Sequence, residues 1–148
     1  MTTRVLCHVV LVVCFVGAPM VLSGCGLVAQ EPELSPQEVV SAFYRWYIGY
    51  PGNPLVDREY RESPYLAESF VGEVDEIAQG GFRVDPFLLA QDIPERFSLD
   101  EVELSGDEAL VVVSLYWGGN PTPTERRVDL ELIDGEWKIT DVSMTTQD

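Results

Sequence analysis

The chain is nearly devoid of two side chains that many enzymes use as nucleophile, base or metal ligand. Its one histidine, His8, and its three cysteines, Cys7, Cys14 and Cys25, all lie in the first 25 of 148 residues. From Gly26 onward there is neither an imidazole nor a thiol. That excludes Ser-His-Asp and Cys-His catalysis, histidine- or cysteine-ligated zinc, and any disulfide within the body of the chain. Positive charge is scarce as well: 9 Lys and Arg stand against 25 Asp and Glu, a net charge of −16. Arg126-Arg127 is the only basic pair, so a nucleic-acid backbone would be repelled. The acidity reads as a solvated, self-repelling surface. Neither a Gly-rich phosphate loop nor an Asp-x-Asp-x-Asp-Gly calcium loop occurs, and Gly80-Gly81 reads as a helix stop. No cofactor and no metal is expected.

What is present begins with a single long apolar run, Val5 to Leu22, behind one positive charge at Arg4. Gly17, Ala18 and Pro19 interrupt it, and Ser23 and Gly24 supply small residues near its end, the layout of a signal peptide rather than a membrane span. Leu22-Ser23-Gly24-Cys25 resembles the lipobox of bacterial lipoproteins. That resemblance implies cleavage before Cys25, a diacylglyceryl thioether on its sulfur and usually acylation of the new amine. Several acyl chains, each worth about 0.8 kcal/mol per buried methylene, hold a protein to a bilayer essentially permanently. Loss of the leader would remove Arg4 and no acid, taking the side-chain balance from −16 to −17. The expected division is a leader at 1–24, a lipidated tether at 25–34 and one domain at 35–148. With Gly26 after the cysteine, the expected address is the periplasmic face of an outer membrane, or the outer face of the plasma membrane if the cell has only one.

The domain reads as two helices followed by four strands. Ser35, Pro36 and Glu38 make a capping box with proline at the first helical position. Val39, Phe43, Tyr47 and Tyr50, with Val40, Tyr44 and Trp46 alongside, give a broad apolar stripe before Gly49 and Pro51 end it. Ser63-Pro64 repeats the signal and predicts a second helix over 64–78, with Leu66, Phe70, Val74 and Ile77 buried and "DREYRES" as a turn or short helical piece before it. From Phe97 the period is two: "FSLDEVEL" slips near Glu101 as at a bulge, "EALVVVSLYW" is apolar on both faces like a central strand, and "RRVDLELI" puts Val128, Leu130 and Leu132 inward. Asp134-Gly135 then predicts a tight hairpin into "EWKITDVSM", with Trp137 and Ile139 on one face. The fold class is α+β, an antiparallel meander with helices on one face. Between helix and sheet, "FRVDPFLLAQDIPERF" predicts one or two helical turns, capped by Asp85-Pro86 and plugging the sheet with Phe87, Leu88 and Leu89.

"FYRWYIGY", "YLAESF", "DPFLLAQD" and "GEWKI", spread over about Ser35 to Val142, resemble the domain of unknown function 3828 family. Its members are bacterial envelope proteins and lipoproteins. The resemblance implies a nuclear-transport-factor-2-like, cystatin-like cone, a strongly curved sheet around a long helix with a mouth open to a ligand. It implies no activity.

Three functions follow as expectations. The first is a non-catalytic envelope lipoprotein whose domain binds or scaffolds another envelope protein. The second is a binder of a small apolar ligand in the cone, with Tyr44, Tyr47 and Trp117 lining the pocket. Five aromatics in the eight positions from Phe43 to Tyr50 exceed one stripe, so Trp46 and Tyr50 are candidates for its rim or for partner contact. The third is a hydrolase, isomerase or dehydratase using Asp85 or Asp92 beside a Tyr, by analogy with enzymes on this cone. The plainer role of those carboxylates is structural: Asp85 caps a turn, and Asp92 with Gln91 bonds nearby backbone amides. Mass spectrometry of the native product should find a lipidated Cys25 as first residue, and an unmodified thiol or an intact leader would overturn the anchor.

Overall fold

The computed structural model describes residues 34–145. Cys25, the leader and most of the tether lie outside them, and no helix among the described residues is long and apolar enough to cross a membrane. Helix α1 runs Pro36–Gly49, and its start is the capping box read from sequence. Ser35 N donates to Glu38 Oε2 at 2.8 Å, and Glu38 N donates to Ser35 Oγ at 3.4 Å. Tyr50 turns extended ahead of Pro51, whose ring disfavours a helical predecessor. Val39, Val40, Phe43, Tyr44 and Tyr47 are buried.

A short 3-10 turn occupies Glu59–Glu62, and helix α2 runs Glu68–Gln79, four residues later than Ser63-Pro64 predicts. A sheet edge wins the intervening backbone. Ile139 N donates to Tyr65 O at 2.8 Å and Ala67 N donates to Ile139 O at 2.9 Å, so Leu66 forms a parallel bridge to Ile139. Phe70 and Val74 of α2 are buried, but Ile77, expected with them, is 49% exposed in the last turn. Gly80 and Gly81 end the helix, Gly81 at φ +78, open to glycine at no steric cost.

The sheet is an antiparallel meander of β1 (Arg96–Ser105), β2 (Glu108–Tyr116), β3 (Thr124–Ile133) and β4 (Glu136–Met144), paired in that order. The register of β1 slips between Leu99 and Val102, where the alternation falters at Glu101. Asp134 and Gly135 both take positive φ, 52 and 84, as the tight β3–β4 turn requires. Helix α1 lies against β1, β2 and β4, and α2 against β4. Ala109, Val111, Val113 and Leu115 of β2 meet α1, with Val128 and Leu130 of β3 and Trp137, Ile139 and Val142 of β4 completing the inner face.

The segment before β1 is not helical. Asp85 N donates to Ala90 O at 2.9 Å and Leu89 N donates to Asp85 O at 2.7 Å, closing a tight turn. Asp85 Oδ1 accepts from Phe87 N at 2.8 Å and Leu88 N at 3.1 Å, and Leu89 reverses the chain at φ +49. The carboxylate thus organises an Asx-type turn in place of a helix start. The turn does enter the core, with Phe87 and Leu88 fully buried.

The domain has two distinct ends. Leu34, Val39 and the first β4 residues Glu136 and Trp137 meet at one. The 85–90 turn, the start of β1 and the β2–β3 connection meet at the other, one α1 length or about 21 Å away for 14 residues. Phe87→Ala should cost about 3–5 kcal/mol of unfolding free energy, read from urea denaturation.

Candidate functional site

Phe87 is the hub of an aromatic cluster. Its ring centroid lies 5.4 Å from Phe43, 5.2 Å from Tyr47, 5.7 Å from Tyr60 and 5.5 Å from Phe70, in edge or tilted contacts. Burying that ring also buries the neighbouring carbonyls, which need donors. Tyr44 of α1 donates its hydroxyl to Phe87 O at 2.8 Å. Arg126 of β3 donates Nε to Leu88 O at 2.6 Å, Nη2 to Leu89 O at 3.4 Å and Nη1 to Glu125 O at 2.8 Å. Tyr47 donates its hydroxyl to Asp85 Oδ2 at 2.5 Å. Three side chains from two elements, α1 and β3, therefore hold one turn by its polar atoms.

These groups are electrostatically perturbed. Burial pushes the Asp85 carboxyl above its usual range, against the lowering effect of the Tyr47 hydroxyl and the Phe87 and Leu88 amides. Burial also raises both phenols, Tyr44 and Tyr47, with Asp85 adding to each. Arg126 is 2% exposed, and desolvation lowers its pKa while Tyr44 opposes the fall. Among the described residues no carboxylate oxygen lies within 4.0 Å of its nitrogens, and no Lys or Arg nitrogen within 4.0 Å of the Asp85 carboxylate.

Beside the turn a groove of about 310 Å³ opens, its lining including Leu55, Val56, Arg83, Val84, Asp85, Gln91 and Ile93. Gln91 donates to Arg83 O at 3.5 Å. Asp92 is exposed, and its backbone carbonyl, rather than its carboxylate, accepts from Trp117 Nε1 at 2.9 Å. Asp85, Gln91, Asp92 and Trp117 are thus brought to one end of the domain. Tyr44 and Tyr47 meet the same turn from inside the core, through Phe87 O and Asp85 Oδ2, and are fully buried. Trp46 and Tyr50 are not brought to it. Trp46 and Tyr50 pack together at 6.1 Å between centroids, and Trp46 faces a separate groove of about 270 Å³ with Glu59, Glu62 and Tyr65. Among the described residues no grouping of three or more Asp and Glu could hold a metal ion.

Sequence reasoning passed over Arg126, treating it as half of a surface basic pair. A signal was available: it shares the inward parity of Val128 and Leu130, and an arginine in that position must find acceptors inside.

No family model matches the chain, and no curated protein matches it, so the likeness to the domain of unknown function 3828 family rests on its motifs alone. Solved structures do align. A chain of the type VI effector–immunity complex Tae3–Tai3 from Ralstonia pickettii is 29% identical with a TM-score of 0.62, the alignment covering 77% of this chain and 98% of that one. A second, selenomethionine structure of that complex agrees at 29% identity and 0.60, covering 77% and 99%. A protein of unknown function from Bacteroides thetaiotaomicron is 19% identical at 0.51, over 72% of this chain and 84% of that one, and shares the fold. A de novo designed protein of the NTF2 fold aligns at 14% identity and 0.40, over 73% and 85%.

A carboxyl whose folded pKa is raised adds stability when protonated and loses it as pH rises through that value. The urea midpoint of the native chain, relative to Asp85→Asn, should therefore climb as pH falls from neutral towards the ordinary carboxyl range near about 4. A flat difference would show an Asp85 that is not desolvated.

Proposed function

We propose that the chain is a non-catalytic protein-binding domain, tethered by acyl chains on Cys25 to a bacterial envelope membrane, which takes the immunity side of an effector–immunity pair. The observation that carries this is the 29% identity to nearly the whole of a chain from such a complex. Whichever chain of that complex is the counterpart, it is one whose known partner is a protein. The body of this chain lacks histidine and thiol, and Phe87 packs the interior solidly against Phe43, Tyr47, Tyr60 and Phe70, so the binding side of the pair suits it better than the acting side. The helix-helix-meander order agrees with a nuclear-transport-factor-2-like cone, and the motifs quoted above with the domain of unknown function 3828 family.

An Asp/Tyr acid–base enzyme is the rival reading. One observation favours it: Asp85 is half-buried, raised in pKa, bonded to Tyr47 and open to a groove. Against it, both bonds to Oδ1 come from backbone amides that shape the turn, which is a structural use of the carboxylate.

Cells deleted for this chain should be outgrown at least tenfold when cultured against their parent. The full chain should restore survival, and Cys25→Ala should restore it less. Equal survival of deletant and parent, with turnover of a substrate by the purified chain that Asp85→Asn abolishes, would replace this reading by the enzyme.

A further inference from the structure

We propose that the groove beside the 85–90 turn receives a lysine or arginine side chain, flanked by apolar residues, from the protein partner, with Asp85 as its counter-ion. This rests on the protein-binding reading and deepens it by naming the surface and the chemistry of what docks there.

The groove is apolar at its lips. Val56 is 70% exposed, Val84 43% and Ile93 37%, an uncommon concentration of aliphatic surface on so acidic a chain. Leu55 and Leu88, both buried, lie beneath. Asp85 is the one anionic side chain in its lining. That carboxylate accepts from Tyr47, Phe87 and Leu88, all neutral donors. An ionised carboxylate offers about four lone-pair positions, so three donors leave room for one more. A desolvated carboxylate without a cation is costly, and a cation arriving from outside recovers that cost and excludes water at the same time. The lips supply burial for the methylene stem of a lysine or arginine or for its apolar neighbours.

Among the described residues no Lys or Arg is paired with Asp85. Arg83 lines the same groove, yet its nitrogens stay more than 4.0 Å from the carboxylate. Leu34, where the N-terminal segment joins, lies at the opposite end, so a groove on this end faces away from the point of tethering. A bilayer surface is accordingly a poor occupant. A neutral apolar ligand would leave the carboxylate unpaired.

Benzamidinium, an apolar ring bearing a planar cation, and neutral benzamide are suitable probes. The full chain in detergent micelles is titrated with each and followed by amide NMR shifts. Benzamidinium should give saturable shifts confined to Val56, Val84, Asp85, Phe87, Leu88 and Gln91, with benzamide at least tenfold weaker. Asp85→Asn, whose amide oxygen can still accept from Phe87 and Leu88, should weaken benzamidinium at least tenfold. Val56→Lys, at an exposed position, should weaken it several-fold without touching the core. Equal binding of the two probes, or binding indifferent to both substitutions, overturns the groove. If that happens while the chain still co-purifies with one protein from native membranes, the partner docks elsewhere and only the groove assignment falls. If Asp85 captures benzamidinium but no protein is recovered, the protein-binding reading falls and takes the partner's side chain with it.

Discussion

Phe87 cannot enter the core without carrying its own backbone inside, and satisfying that backbone constrains every layer of the domain. Tyr44 from α1, Arg126 from β3 and the Asp85–Tyr47 bond each meet one part of the turn. Removing any of these partners would leave a buried carbonyl or carboxylate without its donor, at a cost of about 1–3 kcal/mol for a neutral group and more for a charged one. The helix, the sheet and the turn are therefore mutually required. Neither the ring cluster nor the polar clamp around it forms from one element alone.

The same constraint decides what kind of function the domain can host. An aromatic cluster closes the space between α1, α2 and the 3-10 turn. Here Phe43, Tyr47, Tyr60, Phe70 and Phe87 fill it. The proposed docking groove lies outside that cluster, at the end where α1 finishes and β1 begins. The two charged groups of the clamp, half-buried Asp85 and buried Arg126, are held by neutral groups rather than by each other. Arg126 is satisfied by three carbonyls and turned inward. Asp85 meets a groove, and this asymmetry is the basis for proposing one of them as a binding feature and the other as a strut.

Charge is compatible with the proposed tether. An excess of acid repels phosphate backbones and anionic headgroups, which the proposed acyl chains on Cys25 would offset. The likeness to a chain from an effector–immunity complex is what supports the proposal of a protein partner. Exposed Val56, Val84 and Ile93 would be a liability on a surface meant only for water, and become intelligible on one meant for a protein.

Local chemistry was legible wherever a few adjacent residues decide the outcome: the Ser35 capping box, the bulge near Glu101, the Asp134-Gly135 turn and the two-faced apolar β2 all follow from short-range rules, and the sequence alone establishes the order of helices and strands. Tertiary structure decided the rest. It converted Tyr65 to Ala67 from expected helix into a strand partner for Ile139, because an unsatisfied sheet edge competes for backbone that capping signals cannot defend. It turned Asp85 from a helix cap into the keystone of a buried turn, drew Arg126 inside, and sent Trp46 and Tyr50 to a different face from Asp92 and Trp117. Those outcomes depend on which groups meet across the fold, and residues 37 to 43 positions apart, such as Tyr44 with Phe87 or Arg126 with Leu88 and Leu89, leave no periodic trace by which a sequence could announce them.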